Sequence, residues 1–516
     1  MNRPSCVLAA VLAFPSLLPA AAADGREQDV RALARRIDQR IEAVLKEKKV
    51  AAAPPSSDAE FLRRVYLDVA GRIPSVAEAR AFLDERRPDR RRLVERLLAS
   101  PAYANHQSAV WRAALVPQSQ TNTELQYVSL RLETWLRNRI KANVGYDRLV
   151  RELLATPLPY QKSPAAEDPP PVAFFQANEL KAETLAGSVA RLFLGVQLQC
   201  AECHNHPFAS WTRKQFWETA AFFAGVPPVD RPGRRDEPST LRMPGGNRTV
   251  AARFLDGAPP PARQAGRPRQ AFADWLTGRQ NPYFAPATVN RVWAQFFGVG
   301  LVDPVDDFGE HNPPSHPALL ADLAAAFVKH DFDIPFLIRA ITSSAAYQRS
   351  SAPTSRDQDD PRLFARRQAR GLSAEQLFDS LALATGYADP VPRAHRPLFG
   401  APADSPRGLF LKKFAGAGQR TDVQTSILQA LTLMNGPFVA RQTHPEHGKL
   451  LAAVTNAPFL DDRGKLQTLY LAALSRMPTE GELRRLLARM KGGNPRTRPA
   501  DVFWALLNSP EFLLNH

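Results

Sequence analysis

Cysteine is nearly absent: the 516-residue chain has three, and Cys6 lies almost at its start. A disulfide framework is therefore excluded as the source of stability, and a chain of this length must rest on hydrophobic cores, enough for two or three domains. Strand-like alternation is scarce, which excludes a large β-sheet architecture. No phosphate-cradling glycine loop, HExxH element or Ser-His-Asp order is present, so P-loop, zincin and serine-hydrolase chemistry have no sequence support. Acid is the minority charge, with 51 Asp and Glu against 67 Lys and Arg and a formal net charge of +16. The basic residues are mostly arginine, scattered over predicted helices instead of clustered. That is the pattern of a solvated surface, and it argues for acidic partners and against nucleic acid.

After the N-terminus there is no second apolar run long enough to span a membrane. The first segment itself has Arg3, an apolar run over 6–18 and Ala20-Ala21-Ala22-Ala23, the order of a secretory signal peptide cleaved near Ala23. Prolines at 15 and 19 weigh against the rival, an uncleaved anchor. The sequence thus predicts a secreted or periplasmic protein starting near Asp24, without Cys6, and about +15 in charge once Arg3 is lost.

What the chain does contain is helical periodicity, which predicts a mainly α protein in two parts. Leu33, Ile37, Ile41 and Leu45 recur every fourth residue in a charged segment, an amphipathic helix. Ser75 with Glu78 and Ser373 with Gln376 form capping boxes before apolar runs. Segments 157–171, 227–269 and 350–361 read as linkers or surface loops, with a small β-hairpin expected from 241–243 and 249–255 around Pro244-Gly245-Gly246-Asn247. The division this predicts is a signal peptide at 1–23, a helical domain at 24–226, a linker at 227–267 and a second helical domain at 268–516.

An internal echo links the two ends. Tyr66-Leu67, Arg72, Pro74-Ser75 and Glu78 recur at identical spacing as Tyr470-Leu471, Arg476, Pro478-Thr479 and Glu482. Ser100-Pro101 with Tyr103 returns as Ser509-Pro510 with Phe512, and 341–347 is a looser third copy. Duplication and independent invention of a good capped turn both account for it.

The sharpest chemical signal is Cys200-Ala201-Glu202-Cys203-His204, which holds both remaining cysteines. In Cys-x-x-Cys-His two thiols can join the vinyl groups of haem while the adjacent imidazole reaches the iron. Export suits this, because covalent haem attachment takes place outside the cytoplasm. Trp211, Phe216, Trp217, Phe222 and Phe223 follow closely and suit either a porphyrin pocket or an ordinary core. Two other readings remain open: a Cys200–Cys203 disulfide, and zinc held by Cys200, Cys203 and His204 or His206. With haem, His204 is the proximal ligand. His206 is too near in sequence to reach the other face, and His106, His311, His316 and Met243 are the distant candidates.

These motifs carry a family resemblance. Tyr66-Leu67-Asp68, Gly71-Arg72-Ile73-Pro74 and the run 195–208 resemble the planctomycete cytochrome C-like domain of unknown function. Asn290-Arg291-Val292-Trp293, the runs 298–302, 304–308 and 312–317, and the run 431–438 resemble its usual companion domain. The resemblance implies a secreted two-part protein without a known activity. Relatives often add an N-terminal cytochrome domain with its own haem motif, whereas one such motif stands here.

A second constellation gathers Asp303, Asp306, Asp307, Glu310, His311 and His316. Such a set suits a calcium or zinc site, or a general acid and base. Its structural alternative has Ser315 capping a helix with Pro317 in the first turn, and Asp306 or Asp307 paired with Arg291. The expectation is an exported protein with one haem c that transfers electrons with a secreted or envelope partner. The alternatives are a cofactor-free scaffold with a disulfide, or an enzyme acting on extracellular polymers through the 303–316 loop.

Overall fold

The computed structural model describes residues 20–120, 122–158, 170–226, 239–264, 266–388, 405–414, 432–491 and 497–516. Most of the expected signal peptide and parts of the expected linkers, 159–169 and 227–238, lie outside these residues. The protein is mainly α-helical, and two two-stranded antiparallel sheets occur among the described residues. None of its described helices is long and apolar enough to cross a membrane.

The first long helix, Ala20–Lys48, buries the stripe its spacing predicts: Leu33, Ile37, Ile41 and Leu45 are at most 5 % exposed. Each such side chain contributes about 1.5–3 kcal/mol on leaving water. The stripe packs on the helices Pro317–Lys329 and Ile334–Ser343, far along the chain. One apolar core accordingly runs from Val30 to Ala365, with Leu471 added. A second gathers Leu372 to Phe512, with Leu67 and Ile73 added. The elements before and after 227–267 share the first core, and the packing changes near residue 370.

Both expected capping boxes are formed, at Ser75–Glu78 and at Ser373–Gln376. The expected hairpin is formed by Thr240–Arg242 and Thr249–Ala251, with Leu241 opposite Val250. Segment 350–361 is a largely exposed loop, tied down where buried Gln358 donates to the Ala51 carbonyl at 2.7 Å.

The echo in the sequence is an echo in geometry. Arg72 grips Glu78 with two hydrogen bonds of 2.8 and 2.9 Å, and Arg476 grips Glu482 at the same distances. Each guanidinium lies 5.4 Å from the ring of the preceding tyrosine, Tyr66 or Tyr470. In all three copies of the second motif one serine acts as a local staple. Ser100, Ser344 and Ser509 each donate to a carbonyl three residues back, at 2.6 to 2.7 Å, and accept the N–H three residues ahead.

The Tyr66-Leu67-Asp68 motif lies on a π-helical turn, Tyr66–Ala70, and places Asp68 where the two cores meet. Its buried carboxylate accepts from Tyr347 Oη at 2.8 Å, Asn515 Nδ2 at 2.7 Å and Arg367 Nη2 at 3.3 Å, and also from Arg370. The short pairing of Arg370–Gly371 with Leu514–Asn515 brings the last residues to it. Arg63 and Arg64 add to the clamp by donating to the carbonyls of Phe512 and His516. A carboxyl group this deep needs donors around it, and Tyr347, Asn515, Arg367 and Arg370 supply them.

Candidate functional site

The approach to Cys200 is built by local rules. The helix Ala182–Val189 passes into a second π-helical turn, Ala190–Leu194, which ends at Gly195 with φ +70°. A side chain at 195 would be strained in that conformation, and its Cβ would lie 2.6 Å from Phe308. Glycine therefore lets the 303–316 loop dock on the approach to the cysteines, and Phe308 N–H donates to the Gly195 carbonyl at 2.8 Å. Arg191 pairs with Asp306 at 3.2 Å beside this contact.

Leu198–Ala201 forms one 3-10 turn in which Leu198 and Ala201 are buried while Cys200 is exposed. Cys203 and His204 follow, also exposed, and both thiols are free. Trp217 Nε1 and Arg213 Nε both donate to the Glu202 carbonyl, at 3.0 and 3.2 Å, and hold the middle of the motif to the next helix. That helix, Arg213–Ala220, starts from a capping box of Thr212 and Gln215.

The two histidines of the loop are in opposite tautomers. His204 Nδ1 is 2.6 Å from the Asn205 carbonyl, which can only accept, so the neutral ring carries its proton on Nδ1 and presents a bare Nε2. His206 Nδ1 accepts the N–H groups of Phe208 and Ala209, at 3.1 and 2.9 Å, so its neutral ring is protonated on Nε2. The carbonyl fixes the His204 ring through Nδ1 and leaves Nε2 facing outward, whereas His206 uses its Nδ1 within the loop. Phe208 is 77 % exposed, the one phenylalanine near the motif with its ring in solvent.

The two constellations, separated by about a hundred residues, meet here. The His206 and His311 rings lie 6.5 Å apart at 30°, and His311 Nε2 is 3.1 Å from Asp307 Oδ1. Of the distant histidines, His311 is brought to the Cys200 loop. His316 is instead 2 % exposed in the first core, 5.3 Å from the Phe364 ring, where burial pushes it down to about 4. Met243 is buried at the end of the first hairpin strand, and His106 lies against Gly71 in a cleft with Asp68, Gln295 and Arg370. That cleft offers about 20 Å³, room for a water and not for a substrate.

Two structural expectations need correction. His316, not Ser315, is the N-cap of Pro317–Lys329, and Ser315 faces the His316 ring at 3.1 Å; Pro317 does occupy the first turn. Asp306 pairs with Arg191 and not with Arg291, which feels the carboxylate's charge but donates at 3.5 Å to the Arg191 carbonyl. Asp303 and Glu310 stay on the rim, half-buried and exposed.

Among the described residues, the cysteines and neighbouring histidines do not bring three ligand atoms within 4.8 Å of one another; the group that does is His444, Glu446 and His447. Sequence reasoning missed this group and the Asp68 cluster. His-x-Glu-His spacing signals the first, but nothing local to Asp68 points to arginines some three hundred residues away.

Two family models match the chain. The PSCyt2 model, a protein of unknown function (DUF1549), matches residues 36–227, and the PSD1 model, a protein of unknown function (DUF1553), matches residues 268–401. No curated protein and no solved structure matches it. The paired domains suggested by the motifs are thus those found, although the 431–438 stretch falls beyond the matched residues, and Leu431 is outside the described ones.

Proposed function

We propose that a chain similar to this pair of domains is an exported c-type haem protein acting in electron transfer. The observation that carries the reading is the placement of His204, whose Nδ1 faces the Asn205 carbonyl at 2.6 Å and leaves Nε2 for a ligand, directly beside two free and exposed thiols. Cys200 and Cys203 would hold the porphyrin through thioethers and His204 its iron. When bound, haem supplies reversible one-electron chemistry.

The remaining work belongs to side chains of this protein. Arg213 and Trp217 fix the Glu202 carbonyl and so limit the movement of both cysteines. Phe208 offers an uncovered apolar face in a loop otherwise open to water, which supports a role in covering a flat apolar group. His311, oriented by Asp307, comes from the second domain to lie beside His206. The basic surface attracts an acidic redox partner by long-range steering.

Expression in a host with haem-attachment machinery tests this. The visible spectrum of the purified chain should show a Soret band that Cys200→Ala/Cys203→Ala abolishes. His204→Ala should keep the colour but shift the band, because the thioethers remain and the axial ligand is lost. A colourless protein that has lost two hydrogens identifies a Cys200–Cys203 disulfide and overturns the proposal.

A further inference from the structure

The turn between the helices Pro437–Gln442 and Lys449–Thr455 holds three donors with no part in the site above. Its ends are anchored in the second core by Val439, Leu451 and Val454, each at most 4 % exposed. Thr443 closes the first helix by donating to the Val439 carbonyl at 2.9 Å, and the Gly448 N–H returns to the His444 carbonyl at 2.9 Å. A Cβ at 448 would lie 2.0 Å from the Gln442 carbonyl oxygen, so only glycine lets the chain fold back this tightly. The backbone therefore presents His444, Glu446 and His447 together, all three exposed.

The geometry points to a metal site of the zinc class at His444, Glu446 and His447, with a fourth coordination position left open. One ligand atom from each residue lies within 4.8 Å of the others, and the imidazoles are stacked at 4.9 Å and 26°. A tetrahedral zinc with bonds near 2.05 Å needs its ligands about 3.4 Å apart. Exposed side chains close such a gap by rotation, without moving the backbone. The main internal bond to give up is weak, since the Glu446 N–H reaches His444 Nδ1 at 3.3 Å.

Donor chemistry sets the class. Two imidazoles and one carboxylate suit zinc, copper or nickel, whereas calcium and magnesium require a shell of oxygens. Three protein ligands are the complement of zinc sites that keep one position for water or for a donor from another molecule.

The test must separate this site from the thiols, which also bind zinc. The full chain, without a histidine tag, is prepared as Cys200→Ala/Cys203→Ala and titrated calorimetrically with zinc chloride. One zinc per chain is expected, unaffected by excess calcium. Adding His444→Ala/His447→Ala should weaken binding by more than about tenfold, since loss of even an outer-shell partner has that effect. Circular dichroism should stay unchanged, because the three side chains are exposed. No zinc uptake by the cysteine-free chain, equal uptake after the histidine changes, or displacement by calcium would each overturn the assignment. None of these outcomes bears on haem, which is scored on the unmodified cysteines.

Discussion

Replacing His316 by glutamine should flatten the protein's pH dependence over a defined interval. The ring is 2 % exposed, its Nε2 has no partner and its Nδ1 faces the Ser315 hydroxyl at 3.1 Å. Burial pushes the imidazole from 6.5 to about 4. Because the folded state resists the proton, the unfolded chain takes it up first as pH falls. The contribution is therefore complete above about pH 6.5 and is lost progressively towards about pH 4. Over the whole interval it amounts to about 3 kcal/mol, of which about 2 kcal/mol is lost between about pH 7.5 and about pH 5. Urea unfolding of both proteins at those two pH values measures it. The wild type should lose about 2 kcal/mol more than His316→Gln, a comparison in which all other titrating groups cancel. Equal losses would mean that His316 takes up protons as an open imidazole does and that the packing around it does not hold the proton off.

Asp68→Asn should destabilise the protein by about 3–5 kcal/mol in the same assay, because two arginines lose their buried counter-charge; a loss under about 1 kcal/mol would refute the clamp between the cores. Gly195→Ala should cost about 1–3 kcal/mol from the left-handed backbone alone. It should also raise hydrogen exchange at the Phe308 amide, and an unchanged amide would show that the two loops do not depend on this glycine. Burial alone would raise Glu78, but the bonds from Arg72 and the Ser75 N–H outweigh it and bring the carboxyl to about 2; Glu482 is brought to about 2 by Arg476. Depressed carboxylates stabilise fully above their unfolded values and lose this as pH falls from about 4.5 to about 2. Glu78→Gln/Glu482→Gln should therefore lower stability at neutral pH and flatten its loss through that window; urea unfolding that shows equal losses for variant and wild type between neutral and acid pH would contradict it.

How legible the molecule is from its sequence depends on the range of the contacts. The spaced Leu33, Ile37, Ile41 and Leu45, the capping boxes and the hairpin around Gly245 are local and periodic, and each stands where the pattern puts it. The repeated Arg-x-Pro-Ser/Thr-x-x-Glu also translates directly, since its bonds close within six residues. Long-range choices were not readable. Asp306 has two arginines within reach, and only the fold selects Arg191 over Arg291. His311 and His316 are five residues apart, yet one faces the Cys200 loop and the other enters the core, because the helix beginning at Pro317 turns His316 inward.

The most direct test of the haem proposal is the intact mass of the chain after expression with haem-attachment machinery, measured in denaturant after acid–ketone extraction of any loosely held porphyrin. The account predicts that one haem stays on the wild-type polypeptide and that none stays when Cys200 and Cys203 are both alanine. A wild-type chain at the bare polypeptide mass, or one that keeps haem without those sulfurs, would contradict it.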